Sequence, residues 1–210
     1  MANIFDLFKQ IASDKSYSTQ PITWIVVGLG NPGARYARTR HNAGFLAIDY
    51  LATELGARID RAKYSALIGE AEINSNRILL MKPQTLMNRS GVAVGEAASF
   101  YKLAADHVIV LSDDISLDVG RLRVRRKGSH GGHNGLRDIE AHLGSSEYQR
   151  MKIGVGQKPH PDYDLADWVL SEFSAEEMKA LTESFPTVMA GLHRMIAGDT
   201  EGAMQICNRK

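Results

Sequence analysis

The sequence predicts a single three-layer α/β domain, a twisted mixed β-sheet flanked by helices. Three observations carry that prediction. Short apolar runs alternate with segments of helical periodicity, the pattern of a sheet covered on both faces. Two neighbouring runs, 63–73 and 77–82, are joined by Asn74-Ser-Asn76 and read as a hairpin inside an otherwise crossover-connected chain. The 210 residues, 44% of them hydrophobic and 23% charged, suffice to bury one full core.

The elements follow in order. Residues 1–23 form an N-terminal appendage whose charges (Asp6, Lys9, Asp14, Lys15) exclude a signal-peptide apolar region. Ile4, Leu7, Phe8 and Ile11 within it allow a short amphipathic turn. The domain proper spans 24–210 and opens with a buried strand, Trp24–Gly28. Phe45, Ile48, Leu51 and Leu55 then recur at near-helical spacing and stop at Gly56. After the hairpin come a helix over 91–102 and an apolar strand, His107–Leu111, ended by Ser-Asp-Asp. Arg121–Arg125 alternates with period two, placing three arginines on one face and Leu122 and Val124 on the other. A helix over Asn134–Leu143, a strand over Met151–Val155 and a Pro-rich loop over 157–163 come next. Ser174 and Glu177 form a capping box opening the longest helix, with the stripe Met178, Leu181, Phe185, Val188, Met189, Leu192 and a kink at Pro186. A terminal helix follows Asp199. The chain has no internal repeat.

A net charge of +1 does not by itself announce a nucleic-acid binder, although a local patch can act as one. The single Cys207 excludes an intrachain disulfide and fits a reducing cytoplasm. No apolar run approaches bilayer length, so no membrane association is expected.

The chemistry concentrates in three glycine-flanked loops. In the first, Gly28-Leu-Gly-Asn-Pro-Gly33 matches a dinucleotide fingerprint, with Asp49 near the place of a ribose-binding acid. Pro32 argues against that use, because it offers no N–H to a pyrophosphate and pushes Asn31 away from helical conformation. The same loop delivers His41 to a helix start, with Asn42 as the expected N-cap. There the positive helix end is expected to keep the imidazole neutral and able to take a proton. Such a base needs a carboxylate partner. Asp113 and Asp114 end a strand, and alternation lets only one of them point into a site; spacing does not say which. The other two loops, Met87–Gly91 and Gly128–Gly135, present Asn88 and Asn134. His130 and His133 are a weak metal pair, better read as part of a flexible loop presenting Asn134. With no nucleophile elbow, and Cys207 far from any glycine turn, activated water is the expected nucleophile. Arg121, Arg123, Arg125, Arg126 and Lys127, with Arg35, Arg38 and Arg40, point to a phosphate-rich substrate.

Gly28–Gly33, Tyr36, Thr39-Arg-His-Asn42, Lys82-Pro83, Met87-Asn-x-Ser-Gly91, the Asp113 segment and Gly131–Leu136 together resemble bacterial peptidyl-tRNA hydrolase, from about Trp24 to the C-terminal helix. The resemblance implies hydrolysis of the ester between a peptidyl group and the 3′ end of tRNA, without metal or other cofactor. It implies His41 as base, Asp113 as its supporting carboxylate and Asn31 as the residue telling N-blocked from free aminoacyl groups. By the same resemblance Asn88 and Asn134 hold substrate and water, and Tyr36 contacts tRNA. Two departures stand out. Leu86 replaces a frequent Phe beside the substrate, and Ser112–Gly120 differs from the family's usual loop. Arg121, Arg123, Arg125 and Lys127 are candidate phosphate contacts, and a monomer is the expected state. The alternative is a non-catalytic RNA-binding relative. A nucleotide-cofactor enzyme would rest on the glycine pattern alone. Residues 157–173, with Tyr163, Trp168 and Phe173, are read as core and surface in preference to a gate.

Overall fold

A computed structural model of the chain describes residues 20–209. The amphipathic turn through Ile4, Leu7, Phe8 and Ile11 lies outside the described residues. Seven strands, β1 (Trp24–Gly28), β2 (Arg61–Lys63), β3 (Ala66–Ile73), β4 (Asn76–Pro83), β5 (Val108–Asp114), β6 (Leu122–Arg125) and β7 (Gln149–Gly154), make one sheet. Their spatial order is β2-β3-β4-β1-β5-β7-β6. The four inner strands run parallel, while β2, β3 and β6 add antiparallel pairings at the two sides. The seven α-helices are α1 (Ala43–Glu54), α2 (Ser90–Tyr101), α3 (Asn134–Leu143), α4 (Leu165–Leu170), α5 (Ala175–Glu183), α6 (Phe185–Ile196) and α7 (Thr200–Cys207) among the described residues.

The strands of the sheet centre are apolar throughout because both faces are covered. Val26, Leu80, Ile109 and Leu111 pack against Ile48 and Leu51 of α1 and Val188 and Leu192 of α6. On the opposite face Ile25, Val27, Leu79 and Val110 meet Ala93 and Val94 of α2 and Leu136 and Ile139 of α3. The expected three-layer architecture with a mixed sheet is therefore present. Ile22 is buried and the Thr23 N–H bonds the Arg77 carbonyl, so packing begins just ahead of β1.

Several local expectations need correction. Residues 63–73 form no single strand: Tyr64 and Ser65 both take positive φ, and this tight turn separates β2 from β3. Two-residue turns of that hand match the twist of a hairpin, as at Asn74-Ser75. The long helix kinked at Pro186 is instead two helices that break at Ser184. Pro186 occupies the first turn of α6, where a missing N–H breaks no helical bond. The capping box of Ser174 and Glu177 is present at the start of α5. The short helix α4, capped by Asp164, falls where the sequence suggested only core and surface.

Candidate active site

The site lies at the C-terminal edge of the parallel strands, where α/β folds gather ligands. Close packing brings the first helix there. A Cβ on Gly28 would stand 2.2 Å from the Gly44 carbonyl oxygen, and one on Gly44 would stand 2.4 Å from that of Leu111. The first turn of α1 thus seats directly on β1 and β5, and two of the fingerprint-like glycines, Gly28 and Gly30, serve that contact. Gly33, at φ +106°, turns the chain into the loop that carries Tyr36 and His41.

His41 Nδ1 lies 2.9 Å from Asp113 Oδ1 and 3.0 Å from Oδ2. An ionised carboxylate only accepts, so Nδ1 carries the proton and Nε2 is left as an acceptor in the cleft. Asp113 is 5% exposed, and burial disfavours its charge. The charges and hydrogen bonds of His41 and His133 more than reverse this and hold the carboxyl well below its ordinary range. Burial also lowers the His41 pKa, but the charge and hydrogen bond of Asp113 outweigh it, and the net shift is upward. The net direction is therefore set by the neighbouring carboxylate and not by the helix end. Asp114 turns the other way on the strand, accepting from Ser116 (2.8 Å to N–H, 2.6 Å to Oγ) and from Lys152 Nζ (3.0 Å).

His133 does more than its sequence context suggests. Its Nδ1 accepts from the N–H groups of Gly135 (3.2 Å) and Leu136 (3.3 Å), capping α3. The proton is therefore on Nε2, which donates to Asp113 Oδ1 at 2.9 Å. A histidine directly ahead of a helix-opening Asn was the available signal, hidden because His is an uncommon N-cap. The ligand atoms of His41, Asp113 and His133 lie within 4.8 Å of one another, a spacing a metal could use. A metal on His133 Nε2 would force a proton onto Nδ1, against two inward-pointing N–H groups.

Asn31 is buried, and its Oδ1 accepts from the Met87 N–H at 2.8 Å. This fixes the amide orientation and leaves Nδ2 as a donor facing the cleft. Asn42 does not cap α1 with its side chain. Its amide instead brackets Asn31, accepting from the Asn31 N–H (2.9 Å) and donating to the Asn31 carbonyl (3.0 Å). Asn88 and Asn134 line the same cleft of about 540 Å³ with Tyr36 and Leu86. Its apolar wall includes Leu136 together with Leu165, Val169 and Leu170 of α4. Leu86, Leu165 and Leu170 are among the few exposed large hydrophobic residues in the described part of the chain.

The basic residues divide. Arg123 stands opposite Lys152, and Arg125 opposite Arg150, across the β6–β7 ladder. Like charges directly opposite destabilise a sheet unless something offsets them. Acids offset two of the four: Asp114 pairs with Lys152 and Glu140 with Arg150. Arg123 and Arg125 have no acidic partner among the described residues. Arg121 donates to the Arg209 carbonyl and Lys127 pairs with Glu147. Arg40, expected to face phosphate, is turned inward and paired with Glu177.

The family model described as peptidyl-tRNA hydrolase matches residues 25–210. The chain belongs to the peptidyl-tRNA hydrolase family. It is thus a hydrolase acting on peptidyl-tRNA, and the non-catalytic alternative is set aside. A peptidyl-tRNA hydrolase of Lachnospira eligens is 47% identical over 185 residues, covering 88% of this chain and 99% of that one. One of Clostridium botulinum is 46% identical, covering 88% and 95%. The crystal structure of peptidyl-tRNA hydrolase from Acinetobacter baumannii superposes with a TM-score of 0.83 at 31% identity, over 91% of this chain and 97% of that one.

Proposed function

We propose that His41 is the general base of this peptidyl-tRNA hydrolase, activating water against the ester carbonyl while Asp113 orients and stabilises the ring. The observation that carries the reading is the bond from His41 Nδ1 to a buried carboxylate, which leaves Nε2 free in the cleft. Water gives its proton to Nε2 as its oxygen bonds the carbonyl carbon. The ester C–O bond then breaks, and the imidazolium returns the proton to the departing ribose oxygen. Asn88 and Asn134, whose amides make no intramolecular hydrogen bond among the described residues, supply donors for the developing oxyanion and the water.

Asn31 supports discrimination by donor polarity. Its cleft-facing group is N–H, which pairs with the carbonyl of an N-blocked residue. A free α-ammonium offers only donors to it and is disfavoured. The apolar wall accepts side chains without reading their sequence. Arg123 and Arg125 hold tRNA phosphate beside the cleft, with Arg121 and Lys127 at the margins, and Tyr36 meets the tRNA end. All these groups come from one chain, which suits a monomer. Among the described residues no helix is long and apolar enough to cross a membrane, and the lone Cys207 thiol suits the cytoplasm.

The test is release of N-acetylated amino acid from charged tRNA by purified protein, with unblocked aminoacyl-tRNA left largely intact. His41→Ala is expected to lose about two to four orders of magnitude in rate while still binding tRNA. A variant within a few-fold of the parent refutes the base assignment.

A further inference from the structure

Within the Thr39-Arg-His-Asn42 segment, Arg40 serves neither phosphate binding nor the proton-transfer scheme. Arg40 is 4% exposed, beside His41 in sequence. Its guanidinium donates through Nε to Ser171 Oγ (3.1 Å), through Nη1 to the Val155 carbonyl (2.9 Å) and through Nη2 to Glu177 Oε2 (2.8 Å). The same plane lies 3.8 Å over the Trp168 ring and 5.1 Å from that of Phe173. The backbone adds to this: the Arg40 N–H bonds the Ser171 carbonyl, the Phe173 N–H bonds that of Arg38, and Thr39 pairs with Glu172.

Each acceptor belongs to a different part of the site. Trp168 and Ser171 end α4, whose Leu165, Val169 and Leu170 wall the cleft. Glu177 also accepts from the Ser174 N–H, closing the capping box of α5. Val155 follows β7, and its N–H bonds the Asp114 carbonyl, one residue beyond Asp113. We infer that Arg40 is a positioning residue that fastens the His41 turn, the end of the Asp113 strand and the cleft-wall helix into one rigid body. A planar fork reaches three acceptors in fixed directions while stacking on an aromatic face. A lysine ammonium is a point charge on a flexible stem and cannot.

The inference rests on His41 being the base, and its test separates the two. Arg40→Lys keeps the charge, so electrostatic change at His41 is small and geometry is what alters. The groups facing the His41 ring are Asp113 from β5 and His133 ahead of α3, whereas the Arg40 guanidinium points away to Glu177. The experiment measures kcat and KM against pH on N-acetyl-aminoacyl-tRNA, below the melting temperature of each variant and normalised to folded protein. Arg40→Lys is expected to lower kcat between about 10- and 100-fold, the scale of an ångström misplacement of a reacting group. Its acid limb should move to lower pH as the Asp113 contact loosens. Ser171→Ala removes one tether, and Glu177→Gln weakens another by keeping an acceptor oxygen but losing the charge; each should show the same shift in smaller degree. Substituting Lys for Arg40 in the Glu177→Gln background should cost less than the same substitution costs in the parent. A lower melting temperature with parental kcat and pH profile per folded molecule overturns the inference and leaves Arg40 purely structural. If His41→Ala remains active, the base assignment fails instead.

Discussion

Asp113→Asn probes the centre of the mechanism. Asp113 Oδ1 accepts from both His41 Nδ1 and His133 Nε2 at 2.9 Å, and Oδ2 lies 3.0 Å from His41 Nδ1. An asparagine that keeps its oxygen at the first position must place NH2 at the second, so two donors would face each other at that 3.0 Å contact. His41 escapes the conflict by moving its proton from Nδ1 to Nε2, the nitrogen that must act as base. The same tautomer error in a serine protease triad lowers kcat about 10⁴-fold, and a loss of about 10² to 10⁴ is expected here with KM little changed. A second consequence concerns pH. Removing the carboxylate takes away the charge and hydrogen bond that raise His41, leaving burial, which lowers it. Any residual base-dependent rate should therefore have its acid limb at lower pH than the parent. Single-turnover hydrolysis of N-acetyl-aminoacyl-tRNA across pH measures both. A variant within about threefold of the parent rate would refute the reasoning.

The parent enzyme should gain rate as pH rises through the raised His41 pKa, and a pH–kcat/KM profile flat across that region would count against it. Stability has the opposite sign. The folded-state pKa of His41 exceeds its unfolded value, so the His41–Asp113 contribution is full below the unfolded histidine value and fades as pH climbs through the folded one, readable by denaturant titration. The lowered pKa of Asp113 adds stability that is present above the unfolded aspartate value and lost only as strong acid is approached. His133→Asn preserves an N-cap side chain but cannot reach Asp113. It removes one donor to the buried Asp113 carboxylate, so it should lower the melting temperature modestly and lower kcat per folded molecule by about 10-fold or more, the scale of a misplaced reacting group. Arg123→Ala with Arg125→Ala should weaken tRNA binding and reduce the salt slope by up to about two, roughly one for each phosphate no longer neutralised. Gly44→Ala drives a Cβ to within 2.4 Å of the Leu111 carbonyl and should destabilise by about 1 to 3 kcal/mol or more, read by chemical denaturation.

Much of the architecture was legible because periodicity reports burial. The apolar run Trp24–Gly28 is a strand covered on both faces, the run at 107–111 falls in a strand that begins at Val108 and continues through Asp114, and Asn134–Leu143 is a helix with the bounds its sequence suggests. What failed was local geometry that periodicity does not encode. Tyr64 and Ser65 carry no turn signature, yet adopt the two positive φ values of a hairpin. Proline is compatible with the interior of a kinked helix or the first turn of a new one, and only the break at Ser184 decides between them. Arg40 and Arg123 are indistinguishable as sequence letters. One is swallowed by Trp168, Val155 and Glu177, elements more than a hundred residues away, and the other is left on an edge strand.

The histidines show the same limit at the site. Sequence identifies His41 through its loop, but the property that matters, which nitrogen holds the proton, is set by partners remote in the chain. Asp113 fixes the His41 tautomer and the first turn of α3 fixes that of His133. The two rings therefore converge on one carboxylate with both donors pointing inward, and of the two rings only His41 keeps an acceptor nitrogen for the cleft. Neither histidine can change tautomer without cost: His133 would lose its cap and His41 its carboxylate. If His41 is the proposed base, these locked tautomers keep its reactive nitrogen in the cleft whenever the ring is neutral, and its protonation state is expected to set the pH dependence of turnover. On the proposed assignment, pH, Asp113→Asn and His133→Asn should therefore act on kcat far more than on tRNA binding, which is proposed to lie with the uncompensated Arg123 and Arg125.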